Sequence, residues 1–342
     1  MKWIFLLLSF SISLDALAQA CPACSNPALQ SSERLEAGLD TLKPGNLRIS
    51  INLTSGFDYQ GGHPNNRGLT TDNILTAVPN HEHLVGLDFL RFETSLELTV
   101  RQNWTLWFRI PYDIKSQKAD IFFPNAVTEE ENQAILRNRD IHHRNETYQG
   151  ISDLKMLISR RINGVMGRKG RLDVAIGLSV PTGKVQSNPL AAGDIGEKHL
   201  HIQFGAGTFD PLLELHYATF LSGRWSFGAY TINRISLYEN DMGYQGSAET
   251  TTGVSLGYQH RPWVSFRGTF ANFTQSSAQW EGKEDPNSGL FSFNGSLTTT
   301  FTLNKVFVSP GYRFPIYQRT LSSEGDTFEY GPTFTLNVSR RF

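Results

Sequence analysis

The chain is short of sulfur, carries no strong charge of either sign and, past its first residues, has no long apolar run. Cys21 and Cys24 are the only cysteines in 342 residues, so at most one local disulfide is available to the fold. The formal net charge is -1, which excludes the basic excess that binding to nucleic acid calls for. No internal stretch approaches the ~20 apolar residues of a membrane helix. Yet 12% of the residues are aromatic, while the mean hydropathy is only -0.30. A chain of this kind crosses a membrane only with alternating strands, whose polar half hides them from hydropathy.

A period of two is what the sequence does contain, and it is clearest over residues 328–342. Phe328, Tyr330, Phe334, Leu336, Val338 and Phe342 fall on one face. Glu329, Gly331, Thr333, Thr335, Asn337, Ser339 and Arg341 fall on the other. That pattern predicts one strand with an apolar and a polar side. It resembles the C-terminal signal of bacterial outer-membrane β-barrels, which usually end in Phe; the resemblance implies that Phe342 and its strand are read by the barrel-assembly machinery. The alternative is the edge strand of a soluble β-sandwich.

Residues 1–20 read as a secretory signal: Lys2, an apolar stretch from Trp3 to Leu14, and small-x-small patterns ending at Ala18 and Ala20. Cleavage after Ala20 leaves Cys21 first, which raises lipidation as an option, although Gln19 fits a lipobox poorly. Cys-Pro-Ala-Cys at 21–24 is either a local disulfide or a thiolate pair for a soft metal. Residues 21–44 form a polar periplasmic lead-in, and the barrel is expected over 45–342.

Alternating segments then follow one another. The first runs from Leu47 to Tyr59, before a polar loop over 60–83. Tight turns at Gln102-Asn103, Asn163–Arg171, Ser222–Arg224, Arg261-Pro262 and Asn304-Lys305 alternate with long polar stretches. Within the longest, Thr128 and Glu131 have capping-box spacing and predict a helix over 129–139. Residues 199–221 read as one strand bent at Gly205 and Pro211; splitting it makes the strand count odd and sends later loops to the wrong side. Strands are further expected over 225–238 and up to the closing one. The fold class is therefore all-β: a single transmembrane antiparallel β-barrel of about 12 strands, with short periplasmic turns and long extracellular loops. Trp104, Trp225, Trp263, Tyr238 and Tyr317 sit at strand ends, where interfacial girdles lie. The charge on the opposite face argues against a sandwich core.

Arg48, Arg91, Glu93, Glu97, Arg109, Asp113, Lys155, Arg267 and Arg313 are the candidate lumen-lining residues. They either fill a hydrated lumen or line a channel that selects solutes. Seven of nine histidines fall in predicted loops or at strand tops: His63, His81, His83, His142, His143, His199 and His201. His81 with His83, and His199 with His201, share a face when extended, so each pair offers two imidazoles to one metal. Cys21, Cys24, His81, His83, His199 and His201 are thus the candidate metal ligands. No spacing of Ser, His and Asp identifies an enzyme, and no cofactor is expected.

Three short elements carry a further resemblance. Gly150-Ile-Ser-Asp153-Leu154 opens a strand, Pro181-Thr-Gly183-Lys184 ends one, and Gln203-Phe-Gly205-Ala-Gly207-Thr-Phe-Asp210 follows. In that order they resemble the outer-membrane transporter family associated with the meta-pathway of phenol degradation. The resemblance implies an integral protein of a Gram-negative outer membrane that passes small organic, including aromatic, solutes. The alternative is a closed-lumen structural or metal-binding barrel using the Cys pair or the histidine-rich loops.

Overall fold

A strand whose side chains alternate between apolar and polar is stable when one side meets lipid and the other water, and when no edge is left unpaired. The computed structural model meets both conditions over the residues it describes, 43–199, 203–285, 287–321 and 327–342. The expected signal, Cys21, Cys24 and His201 lie outside the described residues. Twelve strands form the wall. They are β1 (Leu47–Leu69), β2 (Leu75–Arg101), β3 (Trp104–Phe122), β4 (Leu154–Asn163), β5 (Arg171–Val180) and β6 (Asp210–Ser222). The circuit continues with β7 (Trp225–Arg234), β8 (Glu249–Arg261), β9 (Val264–Gln275), β10 (Leu290–Leu303), β11 (Val306–Thr320) and β12 (Thr333–Arg341). Each pairs antiparallel with its neighbours, and β12 pairs with β1 to close the ring. The seam has unbroken register from Arg48 opposite Arg341 to Gly56 opposite Thr333. The Phe342 amide donates to the Leu47 carbonyl and finishes it.

Ile51, Phe92, Ile110, Ile176, Val254, Phe270, Leu297 and Phe334 stand on the outer face. Leu297 is 63% exposed to the surroundings, which only lipid makes favourable. Trp225 and Trp263 are exposed at the short-turn end, Tyr238 and Tyr317 at the other, as interfacial girdles require. Asn103 and Asn304 take positive φ (65° and 60°) in the tight turns, a conformation Asn tolerates better than most residues.

All long excursions leave from the other end. The polar stretch over 60–83 is not a loop. β1 and β2 continue their ladder through it and turn only between Leu69 and Leu75. Above the bilayer neither face of the hairpin meets lipid, so the strands need no outward apolar row and their polarity looked like a loop. The helix α1 (Glu129–His142) lies against this hairpin, with Ile135 and Leu69 buried between them. The Arg137 Nε donates to the Leu69 carbonyl (2.7 Å), and Asn138 Nδ2 to that of Arg67 (2.9 Å).

Other strand boundaries also differ from expectation, three of them near the site. The strand expected over 199–221 begins only at Asp210, because residues 203–209 turn into the barrel; the strand count is unchanged. β7 ends at Arg234 rather than 238. The closing segment is interrupted between Glu329 and Thr333, where Pro332 cannot donate to a ladder. Gln318 bridges the interruption with its side chain, accepting from the Tyr330 amide (3.0 Å) and donating to its carbonyl (3.2 Å). Tyr330 therefore points inward, 2% exposed, out of phase with Phe334.

Candidate functional site

The polar half of each strand faces the lumen, and its chemistry changes along the axis. At the short-turn end is a cavity of about 390 Å³, lined by Arg48, Glu97, Trp107, Arg109, Arg267 and Phe307 among others. That size falls within the ~300–1,000 Å³ of small-molecule sites. The Arg267 Nη1 donates to Ser255 Oγ (2.8 Å). Arg48 and Glu97 approach to 3.2 Å.

Midway, ion pairs cross the space. Arg109 on β3 donates twice to Glu214 on β6, at 2.8 and 3.1 Å. Two strands, β4 and β5, separate these in the wall, so the bridge is a chord of the barrel. His216 lies 3.2 Å from the same carboxylate. Arg91 holds Asp113 in a two-pronged contact at 2.6 Å each, and Ser152 donates to that carboxylate too. Glu93 is buried here, and Lys155 lies in the field of Glu93, Arg91 and Arg109. Ion pairs this enclosed are held by geometry: removal of one partner strands the other, at ~3–5 kcal/mol.

Above these ion pairs an aromatic and aliphatic cluster stands beside buried polar groups, Asn294 and Gln275 among them. Tyr59, Leu87, Phe89, Phe273, Leu290 and Tyr330 form one buried cluster with Phe204. Tyr59 and Phe89 meet edge to face at 5.1 Å between centroids. Phe204 belongs to no strand. It is carried inward by the segment after β5, and the Lys115 ammonium stands 4.9 Å from its ring. The Lys115 Nζ also donates to the Gln203 carbonyl (2.9 Å).

One carboxylate latches that segment. Asp153 accepts from the Gly183 amide through Oδ1 (2.9 Å) and from the Ala206 amide through Oδ2 (2.8 Å). The Phe204 amide donates to the Lys184 carbonyl (3.1 Å), and the Gln186 amide to Gln203 Oε1 (2.8 Å). Glycine is required where the backbones meet: a Cβ on Gly205 would overlap Asp153 Oδ1, and one on Gly183 would overlap the Phe204 carbonyl. The three short elements around Gly150, Gly183 and Gly205 thus converge on one latch. Asp153 was expected only as an inward-facing charge within its short element, and Phe204 not as a site residue; the glycines and that aspartate were the available signal.

Of the residues expected to line the lumen, Arg48, Glu97, Arg109 and Arg267 border the cavity, and Arg91, Glu93, Asp113 and Lys155 lie at the waist. Arg313 is on β11 opposite Thr333, which is buried. His81 and His83 come together, Nε2 to Nε2 at 3.1 Å. His63 and His143, not expected as ligands, join them: the Nε2 atoms of this pair are 3.3 Å apart. His199 instead donates its amide to the Ile141 carbonyl, and its Nδ1 lies 2.7 Å from the Glu197 carbonyl. Burial pushes the His63 imidazole down to about 4, so it is neutral at pH 7.

No family model matches the chain, and no curated protein does. Among solved structures it is similar to an outer membrane channel from Pseudomonas putida F1. That likeness covers 92% of this chain and 100% of that one, at 9% identity and a TM-score of 0.56. The fold is shared. This protein is an integral outer-membrane β-barrel. More distant are the translocator domain of the autotransporter NalP from Neisseria meningitidis (10% identity, 91% and 93% covered, TM-score 0.42) and the toluene transporter TbuX from Ralstonia pickettii (11%, 96% and 96%, 0.40).

Proposed function

We propose that the barrel is a channel for passive uptake of small organic solutes, aromatic ones included, across the outer membrane. The observation that carries this reading is the order of chemistries along the lumen. An aromatic cluster at the outer end is closed by a segment that belongs to no strand. A charged waist and an open cavity of about 390 Å³ lie beneath it. Aromatic rings bind flat apolar solutes through face and edge contacts, and withdrawal of Phe204 is the step that admits one. The shared fold with an outer membrane channel and the glycine elements that resemble the meta-pathway transporter family support the same reading.

The Arg109–Glu214 chord supports a second reading, a closed-lumen barrel, since a bridge across the waist obstructs flow. Single-channel recording in planar bilayers separates the two. Discrete steps that diminish when an aromatic acid is added establish an open path and begin to name its solute. A silent bilayer, from protein whose heat-modifiable gel migration demonstrates a folded barrel, refutes the channel.

A further inference from the structure

Four imidazoles gather where the extracellular hairpin meets the end of α1, on the strand face that carries Leu87 and Phe89 further down, and the proposed channel assigns them no part. His63 on β1 is the registered cross-strand partner of His83 on β2. His143, the residue that caps α1, is brought down onto them. One ring nitrogen from each lies within 4.8 Å of the other two. We propose that His63, His83 and His143 form a binding site for a divalent transition metal of the zinc and copper class, which clamps α1 onto the β1–β2 hairpin.

The geometry is close to what such an ion needs. A tetrahedral zinc centre with Zn–N bonds of ~2.0–2.1 Å sets its nitrogens ~3.3 Å apart. The Nε2 atoms of His63 and His143 are 3.3 Å apart without any movement. The tautomer is prepared as well. His63 Nδ1 lies 3.1 Å from the Pro64 carbonyl, which accepts from Nδ1–H, so the proton sits on that nitrogen and the Nε2 lone pair is left for a metal. The His81 Nδ1 does the same with the Pro79 carbonyl at 2.9 Å. Its Nε2, 3.1 Å from that of His83, orients His83 from outside the three-imidazole group. Two of the three ligands are buried, His83 at 0% and His143 at 4% exposed, with His81 at 1% beside them, while His63 is partly exposed and leaves an entry path. The donor set is all imidazole and uncharged, which suits zinc, copper or nickel and disfavours calcium and magnesium.

The ligands come from three parts of the chain that meet only here: the two arms of the hairpin and the excursion between β3 and β4. A bound ion therefore adds cross-links to a cap already held by the buried Ile135–Leu69 packing and by the side-chain-to-carbonyl bonds of Arg137 and Asn138. The site does not depend on whether the lumen conducts.

The test uses the full chain with Cys21→Ser and Cys24→Ser, so that thiolates contribute nothing, folded in detergent, stripped with chelator and titrated calorimetrically with Zn2+. Expected are one Zn2+ per barrel at micromolar affinity or tighter, and a loss of about 100-fold or more in His63→Ala, His83→Ala or His143→Ala. His260→Ala, at the short-turn end, retains full affinity. Zn2+ is also expected to slow proteolysis and amide exchange across residues 129–143. Heat-modifiable migration checks that each variant is a folded barrel; the ligands lie above the membrane wall, so its pairing is untouched. Absence of binding by folded parent protein at about 100 μM Zn2+, or unchanged binding by the folded triple-alanine variant, overturns the site.

Discussion

Gly205→Ala tests whether the inward segment is a latch. A Cβ at this position overlaps Asp153 Oδ1 and stands 2.8 Å from its Cγ. The carboxylate must move, and it cannot then keep both the Gly183 amide at 2.9 Å and the Ala206 amide at 2.8 Å. A hydrogen bond to a charged acceptor contributes ~1.5–3 kcal/mol. Loss of both, partly offset by water reaching the freed groups, weakens the latch by roughly 3–4 kcal/mol. At 1.4 kcal/mol per tenfold, the ratio of released to docked segment rises roughly 100- to 1,000-fold. Planar-bilayer recording reads this directly as a longer fraction of time in the conducting level. Asp153→Asn, which keeps a neutral acceptor, is expected to fall between the parent and Gly205→Ala. Gly223→Ala, in a turn where a Cβ meets nothing within 4 Å, is the control with no effect. A folded Gly205→Ala barrel with the parent's open fraction would refute the latch.

Further expectations follow from the waist, the cap and the seam. Glu214→Gln removes the counter-charge held by Arg109 at 2.8 Å; the pore should become more anion-selective, by roughly two- to threefold in permeability ratio, read from the reversal potential in a salt gradient. Thr128→Ala removes the hydroxyl that caps α1 at the Glu131 amide (3.2 Å) and should cost the helix ~1 kcal/mol, seen as faster amide exchange in 129–142 with the barrel's melting unchanged. The Glu131 carboxyl is held below its ordinary value by the Thr128 amide and hydroxyl. Its contribution is present above the ordinary value and is lost as the pH falls through the lowered one, so protection of α1 should decline in acid before the barrel does. We also expect Phe342→Ala to reduce the heat-modifiable fraction assembled in cells, because it weakens the last strand that the assembly machinery is proposed to read.

Alternation of residue types was enough to read the wall. Ile51, Leu53 and Phe57 against Arg48, Ser50 and Asn52 already specify a strand with a lipid side and a wet side. Tight turns at Asn103 and Asn304, with an even count, specify a closed ring with its excursions on one side. Thr128 and Glu131 specify where α1 starts, because a capping box is local. None of these inferences requires knowing what lies across the barrel.

What failed or stayed hidden depends on partners distant in sequence. The arms of the hairpin over 60–83 looked like loop, because above the bilayer a ladder is held by backbone pairing and needs no outward apolar row. Residues 199–209 looked like strand, yet Gly205 is there so that a backbone can pass against Asp153, some fifty residues earlier. Tyr330 looked lipid-facing until Pro332 broke the ladder and Gln318 took over its backbone partners. The histidines show the same division most plainly. Spacing alone paired His81 with His83, because i and i+2 share a face. Only strand register brought in His63, and only the docking of α1 brought in His143. Periodicity is a property of a few neighbouring residues and is written in the sequence. Which charge meets which across the lumen, and which imidazoles share a cage, is decided when the ring closes and its loops pack.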